Sequence, residues 1–146
     1  MNTSPNDPPV LLAHSYTVEL RFTGDGLDPV ELTRQLNLQP HNVLSASDAA
    51  SSGRRRRPFW AYKGHGEDGF QPQWHSLEAG LRFLLRHLTP CRAAVIDISK
   101  SFEGIWWCGH FQTSFDGGPT LSAEVMSEVA SFGLPLAIDN YFADQP

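Results

Sequence analysis

Between Tyr16 and Thr23 the chain alternates without a break: Tyr16, Val18, Leu20 and Phe22 are apolar, and Thr17, Glu19, Arg21 and Thr23 are polar. A period of two sends successive side chains to opposite faces of a strand. Such a strand fits only a sheet with one face buried and the other wet, so helices must cover a single side. A chain of 146 residues suits one domain, and its 40% hydrophobic content, with four Trp and nine Phe, supplies one core.

The punctuation around this strand predicts the remaining elements. Residues 1–13, with Pro5, Pro8 and Pro9, read as a flexible lead-in to a single domain over 14–146. Asp28 is placed as an N-cap, Pro29 as the first helical residue and Glu31 as the partner of a capping box, with Leu27 and Leu32 as a hydrophobic staple. Residues 42–57 read as a mobile basic loop. Phe59 to Tyr62 is a short strand, and Leu77, Leu81, Leu84, Leu85 and Leu88 mark a helix stopped by Pro90. Ala93–Ile98 reads as an apolar strand and Ile105–Phe111 as an aromatic one. A last helix is capped by Ser122, with Val125, Met126, Val129 and Phe132 inward, and Leu134–Tyr141 is the final strand. From Phe59 onward the order is β-α-β-β-α-β. The expected fold is therefore α+β, a ferredoxin-like split βαβ arrangement with an antiparallel or mixed sheet and helices on one face.

Charge narrows the partners. The formal net charge is -5, yet residues 51–75 carry Arg54, Arg55, Arg56, Arg57 and Lys63 against Glu67 and Asp68. The arginine run could contact phosphate or an acidic partner, but the acidity of the whole argues against nucleic acid. No stretch is apolar enough for a membrane helix and no signal peptide is evident, so a cytoplasmic location is expected. Cys91 and Cys108, in apolar surroundings, read as free thiols.

Reaction centres are hard to assemble. The histidines lack metal-ligand spacing; a set made from His65, Glu67, His75 and His110 would have to form in three dimensions, and no metal or cofactor is expected. There is no nucleophile elbow, and Gly64, Gly66 and Gly69 lack the context of a phosphate loop. Asp97 and Asp139, read as strand residues, could meet across the sheet; a structural role for either, hydrogen-bonding to a turn or to a neighbouring Trp N–H, is the simpler reading. Trp106 and Trp107 are adjacent and must point to opposite faces. One fills the core and the other stands on the open face, where Trp60, Trp106, Trp107 and His110 are the candidates for a binding platform.

The assembled pattern resembles the family DUF4279, a bacterial domain of unknown function. The resemblance is carried by the opening strand, Asp28-Pro29 and the short helix to Leu38-Gln39-Pro40, Trp60, the leucine-rich helix, and Gly133-Leu134-Pro135-Leu136-Ala137-Ile138-Asp139-Asn140-Tyr141. It implies a small α+β protein in which Asp28, Pro29, Trp60, Asp139 and Tyr141 are frame residues, and it assigns no catalytic residue. The expected function is non-enzymatic: a protein-binding or regulatory domain, immunity-like in kind, with a protein partner or self-association. The rival is a phosphate-ligand binder or small enzyme using Arg54–Arg57, His65, His75 and Asp139.

Overall fold

The computed structural model describes residues 13–52 and 56–143. The expected lead-in therefore lies outside the described residues except for Ala13, as do Arg54 and Arg55. Five strands form one mixed sheet: β1 (His14–Thr23), β2 (Asn42–Leu44), β3 (Phe59–Tyr62), β4 (Glu103–Gln112) and β5 (Leu136–Phe142), in the spatial order β2-β3-β1-β4-β5. Every pairing is antiparallel except β4 with β5, which is parallel. The helices are α1 (Pro29–Leu36), α2 (Ala46–Ser51), α3 (Leu77–Leu88), α4 (Arg92–Ser99) and α5 (Ala123–Ala130), and helices cover one face of the sheet.

The caps act at the residues that signal them. Asp28 accepts from the Val30 backbone N–H, and Asn37 ends α1 in the left-handed region at φ 52. Glu31 does not turn back to the cap; its carboxylate accepts from Arg34 and Gln35 instead. Ser122 caps α5 by accepting from the Val125 N–H. Met126 lies 52% exposed, so the inner face of α5 is Val125 and Val129, with Phe132 beyond its end.

Two segments depart from expectation. Residues 92–99 form helix α4, not a strand, so the order from Phe59 is β-α-α-β-α-β and the split βαβ reading fails. The reason is periodic: Val95 and Ile98 are buried three residues apart and Ala94 packs against the core, while Ala93 and Asp97 are exposed. Helix α3 ends at Leu88, as Pro90 signals, but the chain stays helical: a 3₁₀ turn, Thr89–Cys91, hands α3 over to α4. Cys91 thus lies in a turn, and Asp97 sits on the exposed side of α4 beside Lys100, far from any meeting across the sheet. The segment read as a basic loop, 42–57, holds β2 and α2; Ser45 caps α2 by accepting from the Asp48 N–H.

The core lies between the sheet and the helices. Leu20 and Phe22 of β1, Trp60 of β3 and Trp106 of β4 have no exposed surface. Trp60 donates its indole N–H to the Thr33 hydroxyl at 3.1 Å, and Trp106 meets Phe132 edge-on at 5.2 Å. Tyr62 is also buried, with its hydroxyl unpartnered, and burial pushes its pKa up to about 12, helped by the Glu67 charge. A buried hydroxyl without a partner costs more than it returns. Tyr62→Phe is accordingly expected to be neutral or stabilising by about 1 kcal/mol, read from the urea midpoint; a loss of stability would show that the hydroxyl has a partner after all.

Candidate functional site

The alternation of β1 places Thr17, Glu19 and Arg21 on the uncovered face. Glu19 is nonetheless only 8% exposed, because its neighbours close around it. One carboxylate oxygen accepts from Arg21 Nη2 at 2.9 Å, and the other lies 3.4 Å from His41 Nε2. Burial pushes the Glu19 pKa up, but the His41 and Arg21 contacts outweigh it and hold the carboxyl below the usual range. Arg21 lies over the Trp107 ring at 4.1 Å, and Trp107 donates its indole N–H to Asp139 Oδ2 at 2.7 Å. A chain of contacts thus runs from His41 across β1 and β4 to β5. Gly109 leaves room for it: a Cβ there would fall 2.6 Å from the Thr17 hydroxyl and 3.3 Å from the Trp107 ring.

Beside Glu19 the sheet is interrupted. Strand β3 pairs with β1 only from Leu20 to Thr23, and the next contact on that side is the bridge between Tyr16 and Trp74. The Tyr16 N–H and C=O both bond to Trp74, so even-numbered residues of β1 direct their backbone groups this way. Val18 is the next of them, and it has no strand partner there among the described residues. A cleft of about 200 Å³ fills the gap, lined by Thr17, Val18, Glu19, His41, Lys63, Phe70, Gln71, Pro72, Trp74 and Trp107. Thr17 Oγ1 and His41 Nδ1 are both buried without a hydrogen-bond partner. The wall of the cleft therefore carries the Val18 backbone donor–acceptor pair, with an unpartnered hydroxyl and imidazole nitrogen buried behind the surface.

The residues singled out from sequence are divided by the sheet. Trp107 stands half-buried on the open face; Trp60 and Trp106 lie in the core behind it. His110 also points inward and is 3% exposed. It stacks on Tyr16, and its Nε2 is 2.8 Å from His14 Nδ1, while its Nδ1 is 2.8 Å from Asn140 Oδ1. The Asp116 carbonyl can only accept, so His14 donates to it from Nε2. Trp60, Trp106 and His110 thus share no surface with Trp107. Of the arginine run, Arg56 is exposed and Arg57 pairs with Asp25 at 3.6 Å and Glu103 at 3.3 Å. His65 and His75 are exposed, and Asp139 and Tyr141 lie on β5, where Tyr141 stacks on Phe111 at 5.0 Å. Among the described residues no three His, Cys, Asp or Glu side chains gather as a metal site, and no helix is long and apolar enough to cross a membrane.

Glu19 and His41 are absent from the sequence-derived candidates. Glu19 occupies a polar position of an alternating strand, where a solvated carboxylate is the ordinary expectation. The ion pair gives an acid-dependent contribution: it is present above the ordinary glutamate value of 4.5 and is lost as pH falls through the lowered one. The stability difference between wild type and Glu19→Gln is expected at pH 7 and should shrink progressively below pH 4.5. A difference independent of pH would remove the ion pair as its cause.

Comparison with curated proteins and with solved structures gave no match. The family described as a domain of unknown function, DUF4279, matches residues 14–143. That match takes in every strand and helix described above, and the chain belongs to the DUF4279 family.

Proposed function

We propose that this domain is a non-catalytic binding module that takes a segment of a protein partner on the open face of its sheet, at Trp107 and the neighbouring cleft. The observation that carries the reading is the gap in the β1 ladder. An extended segment entering there would meet the Val18 backbone groups, as strands do when they add to a sheet, and would lie against an indole already fixed by Arg21 and Asp139. Fixed aromatic side chains lose little entropy on binding and are frequent anchors of interfaces. Binding is favoured over catalysis because the buried carboxylate and the buried thiol are committed or held back. Glu19 is kept ionised between Arg21 and His41, and burial pushes the Cys108 thiol up to about 12. The immunity-like role and the cytoplasmic location are part of the same proposal.

Affinity capture from an extract of the native cells, using wild type, Trp107→Ala and the distant surface variant Arg86→Ala, tests it. A protein held by wild type and Arg86→Ala and released by Trp107→Ala is the expected result. Equal capture by all three would overturn the open face as the docking site. A second reading rests on the unpartnered Thr17 Oγ1 and His41 Nδ1: a small polar ligand could fill the cleft by itself. Native mass spectrometry would then show an added mass on wild type that is missing from Thr17→Val.

A further inference from the structure

The two edges of the sheet are treated differently. Strand β2 is only three residues long, Asn42–Leu44, and is followed at once by α2. Short edge strands are one way that proteins avoid unwanted pairing. Strand β5 has no such protection: Leu136–Phe142 runs for seven residues without Pro or a basic residue. Pro135 accepts from the Trp106 N–H and Ala143 donates to the Gln112 carbonyl, so the odd-numbered residues of β5 bond to β4. The backbone groups of Leu136, Ile138, Asn140 and Phe142 therefore point outward, and among the described residues nothing pairs with them. Tyr141 and Phe142 are 44% and 47% exposed, and Phe115, 83% exposed, stacks on Phe142.

We propose that this edge binds a second copy of the chain, joining β5 to its symmetry mate antiparallel and making one continuous sheet. The strand's own residues argue for that occupant. A two-fold axis normal to the sheet keeps buried faces together, so outward-bonding residues must pair with outward-bonding residues. Centring the axis on Asp139 would set two carboxylates opposite each other at the close spacing of a non-hydrogen-bonded pair. Centring it on Ile138 would set Leu136 against Asn140. Centring it on Asn140 sets Ile138 against Phe142 and Asp139 against Tyr141, an apolar pair on one face and a carboxylate beside a phenol on the other. Only this last register leaves no like charges opposed and no apolar residue facing a polar amide.

Sedimentation velocity of the full chain, from about 1 to 100 µM, should show a monomer–dimer equilibrium. Phe142→Lys, which puts a charge on the exposed edge, should weaken it by about tenfold or more without changing the circular dichroism. In a Cys91→Ser background, Asp139→Cys combined with Tyr141→Cys should form a disulfide between copies on oxidation. Asp139→Cys alone should not. A strict monomer over the whole range, or a dimer indifferent to Phe142→Lys, would overturn the proposal. Cross-linking by Asp139→Cys alone would overturn the register.

Discussion

Trp106→Ala is expected to lower stability by about 3–5 kcal/mol, whereas Trp107→Ala, one residue along the same strand, should cost about 1–2 kcal/mol. The two indoles share composition, strand and sequence neighbourhood, and differ only in the face they occupy. Trp106 has no exposed surface, is paired with Leu20 and Leu136 on either side, and meets Phe132 edge-on. Its truncation opens a cavity that the surrounding strands cannot close without breaking their ladder. Trp107 is half-buried, and its removal forfeits one cation–π contact with Arg21 and one hydrogen bond to Asp139. Urea unfolding of both variants gives the two losses directly. Equal losses would mean that the open face is covered as fully as the core and would end its case as a docking surface. The contrast also separates function from folding: Trp107→Ala is the variant that can lose a partner while remaining folded.

That the two indoles occupy opposite faces was readable in the sequence, because the period of two is a property of the backbone and not of packing; which of them is the core residue was not. Asp28, Pro29 and Ser122 were readable too, since their effects are confined to one helical turn. The strand expected over 93–98 shows where local reading stops. An apolar run of that length fits a buried strand or a buried helix equally by composition, and what decided it is the spacing of Val95 and Ile98 together with the exposure of Asp97. The order of strands was similarly out of reach, since β2 is three residues whose pairing with β3 depends on where the sheet leaves an edge.

The site was legible only in part. Trp107 could be named as one of the platform candidates and Asp139 as a frame residue, but not the hydrogen bond that joins them across adjacent strands. The cleft could not, because it is made by something missing: strand β3 stops at Tyr62 and the chain returns to β1 only at Trp74. No residue type signals a gap in a ladder. Glu19 and His41 become conspicuous only when the gap draws 22 residues of sequence separation into one contact. Of the arginine run, the loudest feature of the sequence, the described Arg56 and Arg57 are not among the residues that line the cleft.

The return of the chain to β1 depends on Gly64, and Gly64→Ala is expected to cost about 2–5 kcal/mol, against about 1 kcal/mol for Gly66→Ala. Both glycines have positive φ, +76 and +87, so both variants lose the left-handed conformation that glycine adopts freely. They differ in what a new methyl group would meet. At Gly66 there is nothing within 4 Å, while at Gly64 the added Cβ would lie 2.5 Å and 2.8 Å from two ring atoms of Phe83. Phe83 cannot retreat easily: it is 1% exposed and packed against Trp74, with ring centroids 5.1 Å apart, and against His87 at 4.8 Å. Relief must come from the backbone of the 63–74 segment, where Gly64 accepts from the Glu67 N–H and Trp74 is bonded to Tyr16. The strain is thus delivered to the wall of the cleft. Denaturant midpoints for the two variants separate the steric part from the conformational part, which they share. Indistinguishable midpoints would show that Phe83 yields at no cost, and that the position of the loop over Glu19 does not depend on that contact.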